Sequence, residues 1–329
     1  MTLEISDHAS DRRYVEQFRL ARQLANDKKD SSKNVIIAFG CSFTDPYFRV
    51  DYSWTTSERG PLPPHLAGGW KMWPEVFKDM LEERDKREYH VLNFGRSGSG
   101  FGHGFESFLK IWPYLKHRIK FVLWGGTDFN RFEHHSYRMH VDLNNRRDTG
   151  IKSFFEKKGG GGADYERYKQ HGVIDYVDNI NRSLADPSTV KWIMMKRLRL
   201  MTFIEDLSTS NGSEFLYYPL IEPFGGGSFY KTGGSTSPSL KTTQMYLQDI
   251  HFTLNLKNNK KRLKHYVGLH IKFSGAFWTS WSADIYLSGK KLKILHNKEW
   301  PNNDGHPDKY GQEDIANQFW KHYVAHEKK

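Results

Sequence analysis

Cysteine is nearly absent: Cys41 is the only one in 329 residues. No intrachain disulfide can form, and no second thiolate is available to help hold zinc. Long apolar runs are missing as well. None approaches the roughly 18–20 residues needed to cross a bilayer, so no membrane span is expected. The opening stretch, Met1-Thr2-Leu3-Glu4-Ile5-Ser6-Asp7, is polar and lacks an apolar core segment. No signal peptide is therefore expected, and the cytoplasm is the expected compartment. Metal and phosphate motifs are also missing. His134 and His135 are adjacent, which points their side chains apart, and no HExxH spacing occurs. The run Gly159-Gly160-Gly161-Gly162 lacks the Lys-Ser/Thr ending of a phosphate cradle. No cofactor and no metal are expected.

What the chain does have is aromatic residues and positive charge. Phe, Trp and Tyr make up 15% of it, which argues against disorder. A chain of this length can bury a real core. Lys and Arg number 49 against 38 Asp and Glu, a formal net charge of +11. That balance suits an anionic partner: an acidic glycan, nucleic acid or an assembly interface. The basic stretch Lys257–Lys264 reads as a solvated loop, because no nucleic-acid-binding motif accompanies it.

Hydrophobic periodicity alternates between helix and strand. Asp11–Leu24 has helical spacing at Tyr14, Phe18, Leu20, Ala21 and Leu24, and Val35–Phe39 is a continuous apolar strand. Trp73 opens a helix with Pro74 in its first turn and Val76, Phe77, Met80 and Leu81 on one face. Tyr89–Phe94 is a second strand, followed by a helix with Phe105, Phe108, Leu109 and Trp112 inward. Phe121–Trp124 is a third strand, and a polar region runs from Phe129 to Asn181. Ser188 or Thr189 caps a helix through Leu207, Asn211-Gly212 ends it, and Phe215–Tyr218 is a fourth strand. This alternation predicts a parallel sheet. The rhythm breaks over Phe224–Lys298, where short β-like runs appear, and Lys309–Val324 closes the chain as a helix with Ile315, Ala316, Phe319 and Trp320 on one face. The expected organisation is a charged helical extension over 1–33, an α/β domain over 34–223, a β-rich insertion over 224–298, and the rest of the α/β domain over 299–329.

Four short blocks carry the chemistry. Gly40-Cys41-Ser42-Phe43-Thr44 follows the first strand and Asn93-Phe94-Gly95-Arg96-Ser97-Gly98 the second. Gly125-Gly126-Thr127-Asp128 follows the third, and Asn303-Asp304-Gly305-His306-Pro307 precedes the last helix. Open α/β sheets build their sites at the carboxyl ends of their strands. A serine on a tight turn there needs a neighbouring base to become a nucleophile. Cys41, next to Ser42, reads as a small buried residue pointing the other way. Asp128 and Glu133 would make a carboxylate pair of the glycosidase kind, but both fall in one loop, so this reading ranks below the serine.

Together the blocks resemble the SGNH (GDSL-type) hydrolase family, in a divergent form common in bacteriophage genomes that carries Trp73-Pro74 soon after the first block. The resemblance implies a three-layer α/β/α fold with a parallel, flavodoxin-like sheet. It implies Ser42 as a nucleophile that forms an acyl-enzyme, His306 as its base, and the backbone N–H groups of Ser42 and Gly98 as an oxyanion hole. Two positions depart from the family. The third block should end in an asparagine whose amide donates to the oxyanion; Thr127 stands there, with Asn130 three residues on as a substitute. The acid should lie three residues before the histidine; Asn303 stands there, and Asp304 lies two before. Asp304 is the expected orienting acid, with Asn303 or a backbone carbonyl as alternatives. The implied activity is hydrolysis of an ester, for instance deacetylation of an acylated glycan. The rival expectation is a virion or assembly protein, or a glycan-binding module, that keeps the fold without the activity. Thr127 and Asn303 favour the rival; Ser42, Gly98 and His306 favour the enzyme. An acyltransferase would share these residues and exclude water. The expected location widens accordingly to cytoplasm or virion.

Overall fold

The computed structural model describes residues 9–27, 32–41, 43–46, 71–96, 99–127, 131–134, 137–142, 186–220 and 309–327, with residues 170, 172, 179 and 266. Along the chain these form α1 (Ala9–Asn26), β1 (Val35–Phe39), α2 (Trp73–Asp85), β2 (His90–Asn93), α3 (Phe101–Leu115) and β3 (Ile119–Gly126). Then come β4 (Arg131–His134), β5 (Tyr137–Asp142), α4 (Pro187–Ser210), β6 (Glu214–Pro219) and α5 (Lys309–Glu327).

Four strands make one parallel sheet in the order β2-β1-β3-β6. This is the order in which a flavodoxin-like sheet begins. Both faces are covered, which is why the central strands read as continuous apolar runs. Val35, Ile37 and Phe39 enter one core with Leu92, Val122, Trp124 and Phe215. Ile36 and Ala38 enter the other with Phe121, Leu123 and Leu216. Helices α1, α3 and α4 close the first core, and α2 and α5 close the second. The result is the expected three-layer α/β/α arrangement. A register shift where β1 meets β3 sets Val35 against Ile119 and Ile36 against Phe121, so Lys120 has no partner on β1.

One buried cation fixes the start of the sheet. Arg118 is 1% exposed. It donates to the Leu24 carbonyl at 2.9 Å, the Ser32 carbonyl at 3.0 Å and Asn34 Oδ1 at 3.0 Å. The end of α1 and the entrance to β1 are thereby tied to the residue before β3.

Several expectations are corrected. Leu109 does not face inward: it is 42% exposed. The inner stripe of α3 runs through Phe101, Gly104, Phe108, Ile111 and Leu115, and Leu109 lies a full helical step of rotation away from Phe108. The cap of α4 is neither Ser188 nor Thr189 but Asp186, whose carboxylate accepts from Ser188 N at 3.1 Å and Thr189 N at 2.9 Å. Its hydrogen bond from the Thr189 hydroxyl, with the two backbone donors, holds the Asp186 carboxyl below its ordinary range. Pro187 then takes the first helical position, where its missing N–H costs nothing. β3 runs on through Gly126, and the region read as polar after it contains the antiparallel pair β4–β5. Of the stretch 224–298, only Tyr266 lies within the described residues. It is buried edge-on against Tyr217, with ring centres 5.4 Å apart, and donates to Glu205 at 2.7 Å.

At the carboxyl edge of the sheet the chain approaches itself closely. Thr44 is fully buried there. A Cβ on Gly40 would lie 2.2 Å from Thr44 Oγ1, and one on Gly95 would lie 2.6 Å from both the Thr44 Cβ and its carbonyl carbon. At Gly95 the obstacle is partly backbone and cannot rotate away. Gly95→Ala is therefore expected to destabilise the fold by about 1–3 kcal/mol, the range of overpacking. Thermal unfolding measures it, and an unchanged Tm would show that the edge yields.

Candidate active site

β1 delivers the chain to a tight turn. The Cys41 carbonyl accepts from Thr44 N at 2.9 Å and from Asp45 N at 3.0 Å. Cys41 is completely buried in the α2/α5 core, as a packing residue. Ser42, between Cys41 and the described residues 43–46, lies outside the described residues. So do Gly98, Asn130, Asn303, Asp304 and His306. Thr127 is the one candidate site residue that the structure describes. What the structure supplies for the others is the frame around them.

The second block closes over the first. The Asn93 amide donates to the Thr44 carbonyl at 2.6 Å, and its oxygen accepts from Gly95 N at 2.9 Å. Arg96 N and the Ser99 hydroxyl both donate to the Gly40 carbonyl at 3.0 Å. Ser99 N returns to the Arg96 carbonyl at 3.0 Å. The two residues between Arg96 and Ser99 are thus bracketed by a closed turn that rests on the end of β1.

The last helix is tied to the same place. Gln312, at the start of α5, is 1% exposed. Its side-chain oxygen accepts from Trp73 N at 2.8 Å, and its amide donates to the Phe43 carbonyl at 3.3 Å. The Trp73 indole donates to Thr44 Oγ1 at 3.1 Å and its ring stacks on Phe319 at 4.2 Å between centres. The Trp-Pro pair after the first block therefore has a structural reason. Pro74 starts α2, and Trp73 joins α2 to both the first turn and α5.

Thr127 directly follows β3. It is 5% exposed, and its Oγ1 is buried with no hydrogen-bond partner among the described residues. Such a hydroxyl costs about 1–3 kcal/mol relative to a satisfied one. It lines a cavity of about 10 Å³ with Phe101, Trp124, Arg197, Met201 and Tyr217, roughly room for one water. Burial pushes the Tyr217 phenol well above its ordinary range, so that wall stays neutral. The Arg197 guanidinium lies 5.4 Å from the Phe101 ring centre. Phe101 is the first residue of α3, and its N-cap, Gly100, supplies no side-chain cap. The positive end of a helix therefore stands beside the lone hydroxyl.

Sequence reasoning missed Thr44, Asn93 as a bridge, and Gln312. Asn93 and Thr44 sit inside the quoted blocks, so their position was available. Gln312 had no local signal, because its partners lie 239 and 269 residues away. Among the described residues no group of three His, Cys, Asp or Glu could hold a metal ion.

No protein-family model matches the chain, and no curated protein matches it. Among solved structures it is similar to a candidate GDSL-like lipase from Parabacteroides merdae. The identity is 11% and the TM-score 0.35, over 88% of this chain and 95% of that one. A likeness of that size is a distant resemblance between folds and assigns no chemistry.

Proposed function

We propose that the chain is a serine ester hydrolase of the SGNH kind, acting on an ester such as an acylated glycan. One observation carries the reading: the buried Thr127 hydroxyl has no partner among the described residues, and it sits at the end of β3 where the third block should supply an oxyanion donor. Its cost is explained if the missing partner is a substrate oxygen. Three supports accompany it. The turns that bracket Ser42 and Gly98 rest on one another through the Gly40 carbonyl. The N-terminal end of α3 beside Thr127 favours negative charge nearby. And Gln312 holds α5 on the first turn. His306 is six residues before Gln312, a chain reach of at most roughly 20 Å.

In the proposed reaction Ser42 Oγ attacks the ester carbonyl while His306 takes the hydroxyl proton. The carbonyl oxygen becomes an oxyanion that accepts from the N–H groups of Ser42 and Gly98 and from the Thr127 hydroxyl, with Asn130 as the alternative third donor. The tetrahedral adduct collapses, and His306 passes its proton to the departing alkoxide. Water, deprotonated by His306, then attacks the acyl-enzyme and releases the acid and the free serine. Asp304 stabilises the imidazolium, because only a carboxylate offsets its charge; Asn303 would orient the ring without doing so.

Three outcomes test this. A fluorophosphonate probe is expected to label the wild-type protein and not Ser42→Ala, with circular dichroism confirming that the variant is folded. Absence of label together with no cleavage of short-chain or glycan-acetyl esters would leave a binding module. Label without hydrolysis would indicate acyl transfer. Asp304→Asn is expected to lower ester cleavage more than Asn303→Ala, and the opposite order would reassign the acid. Thr127→Val keeps the branched shape and removes an unpaired buried hydroxyl, so its Tm is expected to hold or rise. Its turnover is expected to fall by roughly 10²–10³, the usual loss of an oxyanion donor. Unchanged turnover would pass the role to Asn130.

A further inference from the structure

The two helical layers differ on their outer surfaces. Among the described residues the exposed large apolar side chains are Leu20, Leu109, Tyr114, Trp192 and Phe203. All stand on the α1/α3/α4 layer and none on α2 or α5. α4 is where they combine with charge. Its inner face, through Ile193, Met194, Leu198 and Met201, is taken up by the core. On its outer face Trp192, Lys196, Arg199 and Phe203 recur at i, i+4, i+7 and i+11. On a helix with 1.5 Å rise that spacing makes one line about 16 Å long, aromatic at both ends and cationic in the middle. Trp192 is 60% exposed and Phe203 45%. Met195 and Leu200 flank the line, and the surface forms a shallow groove of about 590 Å³. The Lys196 ammonium rests 5.0 Å from the Trp192 ring centre. Phe203 meets Phe105 of α3 edge-on at 6.2 Å, and Leu109 follows one turn along α3.

The chemistry of this face selects its occupant. Among the described residues the groove is lined by cations and no acid, so the occupant is anionic. A second copy across a two-fold axis would set those cations against each other. Among the described residues the lining holds no Ser, Thr, Asn or Gln to read sugar hydroxyls or base edges. Met195 and Leu200 between the rings offer hydrocarbon rather than a stacking platform. A shallow surface with a protruding tryptophan suits a plane better than a strand. We propose that this face of α4 docks on an anionic phospholipid surface. Trp192 and Phe203 enter the boundary between headgroups and acyl chains, and Lys196 and Arg199 pair with the lipid phosphates and carboxylates. The docking is peripheral: no described helix is long and apolar enough to cross a membrane.

The test is co-sedimentation of the full chain with vesicles of phosphatidylcholine alone and of phosphatidylcholine with a third phosphatidylserine. Binding is expected to the anionic vesicles only, and to weaken at high salt. The Lys196→Glu/Arg199→Glu pair is expected to reduce it by tenfold or more, since each cation near such a surface contributes severalfold. Trp192→Ser/Phe203→Ser is expected to abolish the blue shift of tryptophan emission that accompanies binding. Tm measurements establish that the variants are folded, and the exposed charge pair carries the test if the aromatic pair is not. Failure of the wild type to sediment, or undiminished sedimentation of the charge pair, overturns the proposal. Tighter binding of single-stranded poly(dT), lost in the same variants, replaces the lipid with nucleic acid. A concentration-dependent dimer dissolved by those variants replaces it with self-association.

Discussion

The carboxyl edge of the sheet is packed around one side chain, Thr44. Its hydroxyl accepts the Trp73 indole, its carbonyl accepts the Asn93 amide, and its N–H closes on Cys41. It fits only because Gly40 and Gly95 leave the space that side chains would fill. Through these contacts the ends of β1 and β2 and the start of α2 are set relative to one another, and Gln312 adds α5. A buried polar network that is satisfied at every member fixes a single arrangement more firmly than apolar packing does. The first turn is therefore held from several sides.

The sheet and its flanking helices were legible because their residues announce themselves locally. Val35–Phe39 is an unbroken apolar run, Pro74 marks a helix start, and Ile315, Ala316 and Phe319 keep helical spacing. The failures have local causes too. Asp186, Ser188 and Thr189 are all capping residues, and Pro187 decides between them by taking the first helical position. Leu109 is apolar beside an inward Phe108, and composition alone does not say that the stripe passes it by. The candidate site was legible only as an order of blocks along the chain. Ser42, Gly98, His306 and Asp304 lie outside the described residues, so their mutual geometry rests on the proposal. The lone hydroxyl of Thr127 could not be read from sequence, because its isolation depends on Tyr217, Met201 and Trp124 arriving from three elements.

The two layers have separate tasks. The α2/α5 layer joins the candidate site through Trp73 and Gln312. Its far end is fastened by Arg84, which lies 4.6 Å from the Tyr323 ring centre and donates to its hydroxyl at 2.5 Å. The α1/α3/α4 layer is fastened by Arg118 beneath and leaves Trp192, Lys196, Arg199 and Phe203 outward. A protein arranged this way can present one flank to a partner without disturbing the other.

The bond between Gln312 and the Phe43 carbonyl joins residues 269 apart in the chain. Contacts of such separation form late, because the loop they close is long. During synthesis the first turn therefore emerges early and waits. The parallel sheet can assemble once β6 has left the ribosome, yet one of its two faces has only α2 over it, without the α5 residues Ile315, Ala316 and Phe319, until α5 follows. A polypeptide truncated before α5 would bare Phe77, Phe121 and Leu216 to quality control while carrying every earlier block intact. The arrival of α5, rather than possession of the early blocks, is thus the condition for a finished edge.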